Sequence, residues 1–82
     1  MRWRRRSDAN HVQVCAGLRA LGWDVESLNT IGMDAVARKG DIGRVVEIKV
    51  PGKAIRLTVL EARLAALLGE NYKIITTAEE LS

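Results

Sequence analysis

Two acids and an amine near the middle of the chain have the types and spacing for phosphate chemistry. Val46-Glu47-Ile48-Lys49 lies in a β-branched run from Arg44 to Val50, and side chains along a strand alternate faces with period two. Val46, Ile48 and Val50 therefore point one way and read as core, while Val45, Glu47 and Lys49 point the other. Asp34 opens the preceding extended segment. A hairpin closing over Lys39 to Gly43, with its turn centred near Asp41, sets Asp34 against Ile48, one residue from Glu47. Carboxylates facing each other across a ladder repel. A divalent cation reverses that sign, since magnesium takes one or two carboxylates and fills its shell with water and phosphate oxygens. Such an ion lowers the pKa of a bound water and neutralises charge on a phosphate under attack. Lys49 could orient or activate that water, or stabilise the developing negative charge. The bland alternative is a solvent-facing salt bridge, with Asp34 capping a turn.

The elements that must position these residues can be read in order. From Asp8 to Leu21, Val14, Cys15, Leu18 and Leu21 recur at helical spacing, Ser7 or Asp8 can cap the start, and Gly22 stops the helix. Trp23 to Leu28 alternates as a strand, Asn29 to Gly32 reads as a turn, and Met33 to Arg38 as a second strand. Lys39-Gly40-Asp41 is a turn signal, and Arg44 to Val50 is a third strand stopped by Pro51-Gly52. Thr58-Val59-Leu60-Glu61 fits a capping box. The helix behind it places Leu60, Leu64, Leu67 and Leu68 on one side and ends at Gly69. Tyr72 to Thr76 reads as a short strand, and Thr77-Ala78-Glu79-Glu80 as a second capping box opening a terminal helical turn. A three-stranded meander with flanking helices is an α/β layer arrangement. The second helix leads from the third strand to the fourth, so those two can pair in parallel through a right-handed crossover.

Size and composition narrow the classes. The 82 residues read as one domain, residues 8–82, preceded by a basic arm, residues 1–7. The single cysteine, Cys15, excludes an intramolecular disulfide and the small secreted scaffolds that depend on one. No stretch approaches the roughly 18 apolar residues that cross a bilayer, and the start lacks a signal peptide's apolar centre, so a cytoplasmic location is expected. Arg2, Arg4, Arg5 and Arg6 together exceed the whole net charge of +3, which leaves the body slightly acidic. An arm of this kind, interrupted by Trp3, suits phosphate contacts with an indole free to stack on a base; a solvated terminus has the same composition.

Nearly the whole chain resembles the PD-(D/E)xK nuclease superfamily, and within it the virus-type replication-repair nuclease (VRR-NUC) branch of small phage and bacterial proteins. Arg6-Ser7-Asp8-Ala9-Asn10 resembles the opening of those members, and Leu18-Arg19-Ala20-Leu21-Gly22-Trp23 their first helix and its exit. Gly32-Met33-Asp34 stands where the family has Gly-x-Pro-Asp, and Val46-Glu47-Ile48-Lys49 is similar to its Glu-x-Lys strand. Leu57 to Glu61 is similar to its Leu-Thr-Pro-x-Gln/Glu helix start, and Ile74 to Leu81 to its final strand and turn. The resemblance implies a restriction-endonuclease-like αβββαβ core. It also implies Mg2+ (or Mn2+) held by Asp34, Glu47 and the Ile48 carbonyl, with Lys49 as the catalytic lysine. Its implied substrate is branched DNA such as Holliday junctions or flaps, cut in a bacterial or phage-infected cell. Two departures stand out. Met33 replaces the proline, and Gln13 occupies the register where the first helix usually supplies a glutamate. Asn10, Gln13 and Gly17 share one flank of that helix. Gly17 would let the helix approach the sheet closely, so Asn10 or Gln13 could reach the site.

The remaining candidates are weaker. Arg4, Arg5, Arg6, Asn10, Lys53 and Arg56 are candidate DNA contacts, for which surface charge or an exposed helix face is the other reading. Glu61 reads as a cap rather than a ligand, His11 as a surface or core-edge residue, and Cys15 as core. A homodimer is expected, because a second copy would cover apolar surface that so small a core leaves exposed. The alternatives to a nuclease are a DNA-binding module with a decayed site and a protein-interaction domain.

Overall fold

A computed structural model describes residues 9–81. The order is α1 (Ala9–Ala20), β1 (Asp24–Thr30), β2 (Met33–Lys39), β3 (Ile42–Ile48), α2 (Val59–Leu68), a 3-10 turn (Gly69–Asn71), β4 (Tyr72–Ile75) and a second 3-10 turn (Ala78–Leu81). The four strands form one mixed sheet in the order β1-β2-β3-β4, antiparallel except for the parallel β3–β4 pair. This is the expected α/β arrangement, compatible with an αβββαβ core. Among the described residues no helix is long and apolar enough to cross a membrane. The basic arm and the helix cap expected at Ser7 or Asp8 lie outside the described residues.

α1 packs through His11, Val14, Cys15 and Leu18, a stripe at i, i+3, i+4 and i+7. It ends in a Schellman motif. The Trp23 amide donates to the Leu18 carbonyl (2.9 Å) and the Gly22 amide to that of Arg19 (3.1 Å), while Gly22 takes φ +97°, a conformation that suits glycine. Val25, Ala35, Ala37, Val46, Ile48 and Ile75 of the sheet complete the core with Trp23, Ala78 and Leu81. Gly17 does permit a close approach, but to the second 3-10 turn and not to the sheet. A Cβ built on Gly17 would stand 2.9 Å from that of Ala78.

β1 runs two residues into the expected turn, to Thr30, which leaves Ile31-Gly32 as the connection. The register shifts by one residue between Ser27 and Thr30, so a bulge absorbs the extra length. β2 and β3 pair without interruption from Lys39↔Ile42 to Ala35↔Val46. One further step along that register would set Asp34 opposite Glu47, but the ladder ends at Ala35↔Val46. Val50, expected in the core, lies beyond β3 and is exposed. The Thr58 capping box is present in both directions. Its counterpart at Thr77 forms only in part. The Glu80 carboxylate accepts from the Thr77 amide (2.9 Å), but the Glu80 amide donates to the Thr77 carbonyl rather than its hydroxyl. α2 also departs from expectation, because Leu60 and Leu67 are exposed and Glu61 is its one buried residue.

Candidate active site

The site forms where the β2–β3 ladder ends. Past Ala35↔Val46 the next β3 amides need other acceptors, since buried backbone donors are rarely left unmade. The Ile48 amide donates to Asp34 Oδ2 at 2.7 Å, and the Lys49 amide to the Ile75 carbonyl at 2.8 Å. The Asp34 carboxylate is thus fixed against the main chain of Ile48, the residue whose carbonyl the resemblance implies as a ligand. Glu47 and Lys49, alternate residues of one strand end, stand 3.6 Å apart.

Lys49 has a second and closer acid. Its ammonium reaches both carboxylate oxygens of Glu61, at 2.9 and 3.0 Å, while Glu61 Oε1 also accepts from the Thr58 amide at 3.0 Å. Glu61 is therefore a cap, as its spacing predicts, and also a clamp on Lys49, which the spacing alone did not reveal. Burial by itself would push the Glu61 carboxyl up. Hydrogen bonds with Lys49, the Thr58 amide and Glu47 outweigh it and hold the group below the usual glutamate range.

The charge balance bears on whether a cation fits. Asp34, Glu47 and Glu61 retain 3%, 0% and 2% of their surface, and Lys49 stands beside the last two. Buried charge is costly unless matched by opposite charge and hydrogen bonds; Glu47 and Glu61 share the Lys49 ammonium, while the Asp34 carboxylate takes the Ile48 amide. Among the described residues no three histidine, cysteine or acidic side chains gather into a metal-holding group. The ligand set implied by the resemblance, two carboxylates and one main-chain oxygen, does not require such a trio, and magnesium commonly takes the rest of its shell from water and phosphate. The donor chemistry fits the ion.

α1 reaches this region through residues other than Gln13. Gln13 is exposed and lines a cleft with Asn10, Val14, Gly17 and Thr76 to Glu79. Asn10 Nδ2 donates to the Lys49 carbonyl at 2.8 Å and to that of Thr76 at 3.4 Å, so its amide ties α1 to the strand ends. His11, read from the sequence as a surface or core-edge residue, is buried, with Nδ1 3.7 Å from Asp34 Oδ1 and Nε2 2.8 Å from Ser27 Oγ. A signal for it was available, since His11 is three, four and seven residues before Val14, Cys15 and Leu18 and so belongs to the apolar stripe. Lys53 and Arg56 are exposed on the loop that leaves β3. Arg4, Arg5 and Arg6 lie outside the described residues.

Compared with protein-family models, with curated proteins and with solved structures, the chain finds no match, and its site is read from its own residues.

Proposed function

We propose that this chain is a divalent-metal-dependent DNA endonuclease that hydrolyses phosphodiester bonds in branched DNA, four-way junctions or flaps being the substrate class. The observation that carries the reading is a strand end at which Lys49 stands 3.6 Å from the buried Glu47 while the buried Asp34 carboxylate accepts from the Ile48 amide. Asp34 and Glu47, with the Ile48 carbonyl, would hold Mg2+ or Mn2+, which when bound supplies charge neutralisation at the phosphate and a more acidic water. Lys49 stands beside Glu47 to orient that water or meet the charge developing on the phosphate, and Glu61 keeps its ammonium in place. Water adds to phosphorus as the P–O bond to the leaving strand breaks, and the leaving oxygen takes up a proton. The reading also includes a cytoplasmic location, in keeping with a single buried thiol.

The test is titration of the purified protein against four-way and linear DNA, with magnesium and with chelator. Cleavage that needs metal, and that is abolished by Asp34→Asn, Glu47→Gln or Lys49→Ala in folded protein, supports the reading. Salt-dependent binding without cleavage would replace it with the second reading, an inactive DNA-binding module. The observation favouring that alternative is the two-oxygen grip of Glu61 on Lys49, which occupies the ammonium.

A homodimer belongs to the same proposal. Val59, Leu67 and Ile31 leave 90%, 64% and 62% of their surface exposed, and Ile55 and Leu57 are exposed beside α2. Light scattering that finds only particles of 9.0 kDa at micromolar concentration would reject it.

A further inference from the structure

Resting on the reading of Asp34 as a metal ligand, we infer that His11 is a positioning residue for its carboxylate, and that Ser27 in turn orients His11. Three elements meet at this ring. α1 carries His11, β1 carries Ser27 and β2 carries Asp34. The imidazole is buried and spans the gap between the other two, with Nε2 2.8 Å from Ser27 Oγ and Nδ1 3.7 Å from Asp34 Oδ1. If the Ser27 hydroxyl donates to Nε2, the ring hydrogen sits on Nδ1 and faces the carboxylate. Asp34 is then held at Oδ2 by the Ile48 amide at 2.7 Å, and its Oδ1 faces the imidazole across 3.7 Å, an electrostatic contact longer than a hydrogen bond. A carboxylate hydrogen-bonded at one oxygen and flanked by a buried ring at the other is restricted in orientation, which suits an ion with strict octahedral demands. Groups that orient a ligand from behind commonly change metal affinity by about 10–100-fold when removed.

The bulge between Ser27 and Thr30 belongs to this arrangement. It shifts the β1 register after Ser27, next to the Ser27↔Ala35 pair and one residue from Asp34. Bulges often re-aim a side chain at a strand end. Here the hydroxyl meets a helix side chain whose other nitrogen faces the acid.

Calorimetric titration of Mn2+ into the free protein tests the inference, with cleavage of a four-way junction against Mg2+ concentration as a second readout. His11→Leu is expected to weaken Mn2+ binding by about 10–100-fold. His11→Asn, whose amide nitrogen stands near the place of Nδ1, should recover part of that loss. Ser27→Ala should move both readouts the same way by a smaller factor. An unchanged affinity in folded His11→Leu, or equal losses in the leucine and asparagine variants, overturns the inference. Should His11→Leu not fold, His11→Asn and Ser27→Ala decide it, and wild-type metal affinity in both rejects it. Wild-type protein that binds Mn2+ but cuts no DNA sinks the nuclease reading and leaves the His11 result standing. Wild-type protein that binds no Mn2+ sinks both.

Discussion

α1 and α2 flank the same sheet and are held to it by different chemistry. α1 inserts Val14, Cys15 and Leu18 among sheet residues from β1 to β4, with the second 3-10 turn closing over it. α2 buries only Glu61, and its attachment combines that carboxylate's grip on Lys49 with the contact of Leu60 and Leu64 against Gly32. One helix is a scaffold built into the core; the other rests against β4 with half-buried leucines and with Glu61 as its one buried side chain. Anything that alters charge at Lys49 therefore reaches α2 directly, whereas α1 meets Lys49 through the hydrogen bond from Asn10 to its carbonyl.

The contrast can be broken most decisively by matched leucine truncations. Leu18→Ala empties the centre of the core and should cost about 2–5 kcal/mol. Leu67→Ala on the exposed flank of α2 should change stability by no more than about 0.5 kcal/mol. Comparable losses in chemical denaturation would mean that α2 is a scaffold too. A smaller effect is expected at the clamp. Glu61→Ala removes the cap and the partner of Lys49 together, for a loss on the order of 1–2 kcal/mol, and Glu61→Gln should lose less because its amide oxygen still accepts from the Thr58 amide. Equal losses in the two variants would show that the charge, and not the cap, carries the contribution.

Acid sharpens the same comparison. Hydrogen bonds from Thr76 and Thr77 hold the Glu80 carboxyl below the ordinary range, and Glu61 is lowered as described. Both groups bind protons less readily folded than unfolded. Their contribution is thus fully present above the unfolded glutamate value of about 4.3 and is lost as pH falls through the lower folded values. Denaturation midpoints should decline below that pH, and less steeply in Glu61→Gln. A wild-type profile flat down to strong acid would contradict this. The smallest effect concerns the scaffold. Burial pushes the Cys15 thiol up, against a partial lowering by Arg19, with Asp34 adding to the rise. Alkylation at mildly alkaline pH should be slow in the native protein and fast once it unfolds.

Much of this could be read from periodicity. The period-two alternation of Val45 to Lys49 and the helical stripe of α1 fix faces, and the glycine turns fix the hairpins, so the expected pairing of Asp34 near Ile48 meets the hydrogen bond that the Ile48 amide gives the Asp34 carboxylate. The errors have local causes. The bulge after Ser27 lengthens β1, and no composition rule reveals a bulge. Leu60 and Leu67 look like core because hydrophobicity records a residue's type, not whether anything covers it. His11 was misjudged because a lone histidine among polar neighbours hides its place on the stripe. Glu61 was recognised as a cap, but its second bond joins residues 12 apart in sequence, beyond what local spacing encodes.

The parallel pairing of β3 with β4 has a kinetic consequence. β2 and β3 are joined by a two-residue turn, whereas β4 meets β3 only after the chain closes a loop of more than twenty residues that includes α2. Short loops close at lower entropic cost, and nearby contacts form sooner. During folding, Asp34 and Glu47 should be neighbours before α2 arrives with Glu61. Pulse-labelled amide exchange should then find β2 protected ahead of β4, and the reverse order would show that the crossover helix nucleates the sheet.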